Sequence, residues 1–127
     1  MSKSNLEHLP LLEQQALIEF SQTLQQQFGE LVQSVLLFGS KARGEDTSFS
    51  DLDVLIIVNS DDWQLHKQIC YVAVDVCLKY NYELDISPRI WSVTHFQDLK
   101  AINASIYQNI CQDGIILLEP ELAVTFP

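Results

Sequence analysis

Apolar residues recur at three- and four-residue steps early in the chain: Ala16, Leu17, Phe20, Leu24, Phe28 and Leu31. That period predicts an amphipathic α-helix over 10–28, with a glutamine-rich face opposite the apolar one. Pro10 suits the first turn and Gly29 the stop. The pattern then changes. VQSVLLF, 32–38, reads as a short strand ending at Gly39. LDVLIIV, 52–58, is apolar at both parities, which predicts a strand covered on both faces. Residues 40–50 between them are polar, a loop with room for one helical turn.

Residues 61–81 carry two patterns at once. Leu65, Ile69, Val72 and Val76 have helical spacing, whereas YVAVDVCL alternates like a strand. A strand of that length is rare, so a helix is assigned, capped by Asp61 or Asp62. ELDISPRIWSV, 83–93, reads as a third strand, which Pro88 confines to an edge or a bulge. Thr94 can cap a further helix, 104–112 form another closed by Gly114, and IILLE, 115–119, forms a last strand. The alternation predicts an α/β (α+β) fold, a small mixed sheet flanked by helices. The length of 127 residues predicts one domain over 1–127.

Composition narrows the class. The 47% hydrophobic and 19% charged content is that of a soluble globular protein. The first residues lack the apolar run of a secretory signal, and no apolar stretch approaches the ~18 residues of a membrane span. Cys70, Cys77 and Cys111 have no metal-ligand spacing. They read as core-filling thiols in a reducing cytoplasm, with Cys70 and Cys77 on one helix face. The net charge of −10 argues against duplex nucleic acid and suits a cationic small molecule or a basic protein. His8, His66 and His95 stand isolated and receive no catalytic role; Trp63 and Trp91 read as core or rim aromatics.

The segment 38–58 carries the chemistry. Side chains alternate along a strand, so Asp51 and Asp53 share a face and Leu52 and Val54 take the other. Two such carboxylates repel, and one is expected to hold its proton unless a cation sits between them. Mg²⁺ takes about six oxygens and favours a few carboxylates together with substrate phosphates. Gly39 at a strand end lets the backbone approach a phosphate, and Ser40 adds a hydroxyl and an amide. Each half is weak alone, because Asp is common at strand starts and Gly-Ser is common in plain turns.

Together the halves are specific. Gly39-Ser40, ten residues, then Asp51-x-Asp53 resembles the signature of the DNA polymerase beta-like nucleotidyltransferases. GSKARGEDTSFSDLDVLIIV is similar to their small bacterial members, the minimal nucleotidyltransferase (MNT) domains, and DISPRIWS and IYQNICQDGIILLE extend the likeness over about 10–119. The resemblance implies a polymerase beta-like fold with a third carboxylate on the third strand. Asp85 matches best, while Glu83 has the same parity and stays open; the other use of either is an ion pair with Lys41 or Arg43. It also implies transfer of a nucleoside monophosphate, AMP from ATP, to a hydroxyl. Asp51, Asp53 and Asp85 would hold two Mg²⁺ ions and carry catalysis, and Gly39 and Ser40 would cradle the β- and γ-phosphates. Lys41 or Arg43 would neutralise the pyrophosphate, with a loop-pinning ion pair equally open for Arg43.

Larger relatives carry a helical acceptor-binding domain that is not visible here, so the acceptor surface is expected to be shallow or supplied in trans. The resemblance implies a HEPN-domain toxin as partner. A tyrosine of it would be adenylylated, and this chain would act as a cytoplasmic antitoxin. The glutamine face of the first helix and Leu122, Val124 and Phe126 of the tail are candidate docking surfaces; the tail can equally pack on its own domain. Three alternatives remain, one of them a plain metal-binding structural domain. An aminoglycoside-type enzyme would suit the acidic charge, but a homo-oligomer would have to build its pocket. A non-catalytic antitoxin would neutralise its partner by contact alone.

Overall fold

A computed structural model describes residues 2–3, 6–44 and 51–118. The expected residues 45–50, position 119 and the tail with Leu122, Val124 and Phe126 lie outside the described residues. The described elements are β1 (Ser2–Lys3), α1 (Leu11–Phe28), β2 (Val32–Phe38), α2 (Gly39–Arg43), β3 (Leu52–Val58), α3 (Trp63–Lys79), β4 (Ile86–Ser92), α4 (Val93–Ala101), α5 (Ser105–Asp113) and β5 (Ile115–Leu118).

The strands form one mixed sheet in the order β1-β5-β2-β3-β4. β2 runs antiparallel to β3 and β5, while β4 is parallel to β3 and β1 is parallel to β5. The period of two along β3 decides what each face buries. Leu52, Val54, Ile56 and Val58 join Ala16, Leu17, Phe20 and Leu24 of α1 and Ile69, Val72 and Val76 of α3. Leu55 and Ile57 join Leu36, Phe96 of α4, and Tyr107 and Ile110 of α5. Both faces are therefore covered, and β3 is buried at every position except Asp53, which is half-buried. Each buried Leu, Ile or Val contributes about 1.5–3 kcal/mol. This apolar run holds the strand that carries the carboxylates.

Pro88 stands on β4, the edge strand, where its missing amide donor costs the sheet least. The ambiguous segment is a helix: α3 starts on Asp62, whose carboxylate accepts the Gln64 amide at 2.9 Å. Elsewhere the structure shifts the expected boundaries. Pro10 is extended (φ −54°, ψ 145°) and precedes the first turn of α1. Leu31 leaves the α1 stripe because residues 29–31 wind as a 3₁₀ turn, and it is exposed. α4 is capped by Ser92 and not by Thr94, since β4 runs straight into the helix and the Ser92 hydroxyl accepts the His95 amide at 3.1 Å. The third strand starts at Ile86 and not at 83, because Asn81 and Tyr82 take positive φ in the turn that follows α3.

The thiols do not all fill the core. Cys77 is buried, Cys70 is exposed and Cys111 is intermediate. At about 100° per residue Cys70 and Cys77 flank the same side of the α3 stripe. Only Cys77 is covered, by the chain returning into β4, where the Ile86 amide donates to its sulfur at 3.4 Å.

Candidate active site

The C-terminal end of β2 and the N-terminal ends of β3 and β4 lie side by side. Phe38 pairs with Asp53 across the antiparallel ladder. On the parallel side, Leu52 pairs with Ile86 and Asp53 with Ser87. Asp51 and Asp85 are the residues immediately before the first of those pairs, and the Leu52 amide donates to the Asp85 carbonyl at 2.8 Å. The parallel register thus sets Asp85, and not Glu83, beside Asp51. Glu83 lies two residues earlier, exposed in the turn after α3.

Gly39 opens the site. Its φ of +78° is strained for any residue with a side chain, and a Cβ there would lie 2.5 Å from Oδ2 of Asp53. The space that a side chain at position 39 would need is held in this structure by the Asp53 carboxylate. Ser40 follows at the start of α2, half-buried.

The carboxylates disturb one another. The Asp53 carboxyl is pushed above its ordinary range by burial first and by the Asp51 charge second, with Arg89 pulling it partly back. Asp85 is also pushed up, by burial, then by the Asp51 charge and by a hydrogen bond with Asp51. The donor set is all carboxylate oxygen, which fits a hard divalent cation, and the mutual repulsion is what such an ion would relieve. The coupling runs in pairs through Asp51. Among the described residues, no three His, Cys, Asp or Glu side chains are grouped so as to hold a metal ion.

The two loop cations each make an ion pair within the fold. Lys41 is 1% exposed, and its ammonium donates to both carboxylate oxygens of Glu13 on α1, at 3.0 and 3.1 Å. Its carbonyl accepts from Nε2 of His8 at 2.6 Å. Arg43 stands 3.9 Å from the Asp113 carboxylate at the end of α5. α2 is thereby tied to α1 on one side of the sheet and to α5 on the other. The expected ion pair of Glu83 or Asp85 with Lys41 is replaced by the pair with Glu13, because α1 and not β4 adjoins the Lys41 side of α2.

Arg89 was missed from sequence. On β4 it pairs with Leu55 of β3, its guanidinium lies 5.8 Å from the Phe38 ring centroid, and its charge reaches Asp53. The available signal was parity: Arg89 is four residues after Asp85 and so faces the same way.

The description "nucleotidyltransferase domain" matches residues 17–107 of this chain. A Methanocaldococcus jannaschii protein named as a candidate protein adenylyltransferase, MJ0604, is 33% identical over 107 residues, spanning 83% of this chain and 97% of that protein. The chain belongs to the nucleotidyltransferase domain family. A second M. jannaschii relative of the same naming, MJ1305, is 34% identical over 91 residues, 69% of this chain and 60% of the relative. Two crystal structures share the nucleotidyltransferase fold at low identity. One, a toxin–antitoxin with AMP-PNP, superposes with a TM-score of 0.52 at 14% identity, over 82% of this chain and 74% of the other. The second, a double mutant of the toxin–antitoxin MntA–HpeT, gives 0.53 at 15% identity, over 83% and 74%. Among the described residues no helix is long and apolar enough to cross a membrane.

Proposed function

We propose that this nucleotidyltransferase transfers AMP from ATP to a tyrosine hydroxyl of a HEPN-type toxin and thereby acts as its antitoxin. The observation that carries the reading is the placement of Asp51 between Asp53 and Asp85 at adjoining strand ends, beside a glycine whose Cβ position the Asp53 carboxylate occupies. The relatives named for protein adenylylation support a protein acceptor, and the toxin–antitoxin neighbours share the fold.

Asp51 and Asp53, with Asp85, would hold two Mg²⁺ ions, which when bound neutralise the triphosphate and stabilise the entering and leaving oxygens. The residues divide the remaining work. Gly39 and Ser40 present a backbone amide and a hydroxyl to the β- and γ-phosphates. Asp85, made more basic by burial and by Asp51, takes the proton of the tyrosine hydroxyl. The hydroxyl oxygen bonds to the α-phosphorus, the bond from that phosphorus to the β-phosphate bridge breaks, and pyrophosphate leaves. Arg89 supplies positive charge on the carboxylate face, while Lys41 holds α2 to α1 through Glu13.

The test is co-expression with a candidate HEPN-type toxin, followed by mass spectrometry of that protein. One added adenylate on a tyrosine, absent with Asp53→Asn, is expected. An unmodified toxin that the Asp51→Asn/Asp53→Asn variant still neutralises would establish inhibition by contact alone. Labelling of an aminoglycoside and not of the toxin would establish a small-molecule acceptor.

A further inference from the structure

α3 is apolar on two opposite faces. Leu65, Ile69, Val72, Ala73 and Val76 face the core. Trp63, Tyr71, Val74 and Leu78 are 65%, 56%, 51% and 57% exposed. At about 100° per residue these four lie within an arc of about 80°, opposite the buried stripe. A lone exposed hydrophobic residue is ordinary, but four aligned along one 17-residue helix form a seam. The seam carries one cation. Lys67 lies between Trp63 and Tyr71, its ammonium 5.8 and 5.7 Å from the two ring centroids.

We propose that this seam pairs antiparallel with α3 of a second copy of the chain, about a two-fold axis close to Tyr71. The order of charges argues for that occupant. Lys67 lies four residues before Tyr71 and Asp75 four residues after it, and both are exposed. An antiparallel pair centred on Tyr71 sets Lys67 of each copy across from Asp75 of the other, so the complementary contact is made twice, as an isologous interface requires. A parallel pair would oppose Lys67 to Lys67 and Asp75 to Asp75. Tyr71 meets its own counterpart on the axis, and Val74 and Leu78 fall across from the N-terminal half of the other helix. The helix is about 25 Å long at about 1.5 Å per residue. α1 packs beside it on the same sheet face and presents Ile18 outward, 47% exposed. The carboxylates have the parity of Leu55 and Ile57, the other face of the sheet, so the dimer leaves both sites open. The proposal is independent of the nucleotidyl-transfer reading.

The test is the mass of the purified full chain in solution, by light scattering and sedimentation at micromolar concentration. Salt is kept near 0.15 M, where the ~8 Å Debye length limits repulsion between two copies of net charge −10. Twice the 14.5 kDa chain mass is expected. Val74→Glu and Lys67→Glu should each halve it while the circular dichroism stays unchanged. Lys67→Glu combined with Asp75→Lys should restore the dimer, an outcome a merely apolar patch would not give. A monomeric wild-type chain, or a dimer that survives Val74→Glu, overturns the proposal. Failure of the charge-swapped double variant to recover overturns the antiparallel register. A monomer that captures the co-expressed toxin, and loses it on Val74→Glu, assigns the seam to that protein instead.

Discussion

Lys41 and Asp53 stand on either side of the same one-turn helix and are treated in opposite ways. Lys41 is fully buried, with both oxygens of Glu13 on its ammonium. Asp53 is half-buried against Gly39, pushed toward its protonated form by burial and by Asp51, and eased by Arg89. The first charge has its partner within the fold; the second is left in repulsion. The contrast separates structure from chemistry, since a paired buried charge holds elements together and a cluster of like charges at strand ends is poised for an external cation.

That division can be broken from either side. The largest effect is expected for Asp53→Asn on transfer. Losing one carboxylate of the cluster should lower the rate by about 10³-fold or more, read as adenylate incorporation from labelled ATP. The same variant should be more stable than the wild type at neutral pH. The Asp53 pKa lies above its ordinary 3.8 in the folded chain. Between 3.8 and that raised value the folded state binds more protons than the unfolded one, so stability falls as pH rises through the window. Asparagine escapes that loss, and its advantage should vanish below pH 3.8 in urea titrations at several pH values.

Lys41→Ala should act on the other side of the division. Stranding Glu13 is expected to cost about 3–5 kcal/mol in denaturant unfolding, and Lys41→Met with Glu13→Leu should recover most of it. If Lys41→Ala instead keeps full stability and loses only nucleotide affinity, the structural role assigned to Lys41 is wrong.

Gly39→Ala joins the two sides. Its φ of +78° costs an L-residue about 1–2 kcal/mol, and the new methyl would meet Oδ2 of Asp53. Displacing that carboxylate should reduce transfer by about 10²-fold, with the unfolding midpoint shifted only modestly. Arg89→Gln is expected to have the smallest effect, less than about tenfold at neutral pH. Because Arg89 lowers the Asp53 pKa, the acid limb of the pH–rate profile should move to higher pH in this variant.

Much of this was legible in the linear chain, and for one reason. A period of 3.6 or of 2 is imposed by neighbours in sequence, so α1 declared itself, as did the shared facing of Asp51 and Asp53, whereas α3 was assigned by its length and β3 by apolar residues at both parities. The requirement for glycine at 39 is likewise local. Chain direction decides less well where elements end. Thr94 and Ser92 are equally good caps on paper, and only the direct run of β4 into α4 selects Ser92.

What the tertiary structure decided were the partners. Sequence favoured Asp85 by resemblance but left Glu83 open, and the parallel register of β3 with β4 placed Asp85 beside Asp51. It set Cys70 in the open and Cys77 under the returning chain, although both have the same helical phase. It turned Lys41 toward Glu13, 28 residues away, and brought the charge of Arg89 near Asp53 from the neighbouring strand. Backbone sterics and side-chain periodicity act over a few residues and are written in order along the chain. Charge pairing and burial depend on distance in space, which is fixed only once the sheet has chosen its neighbours.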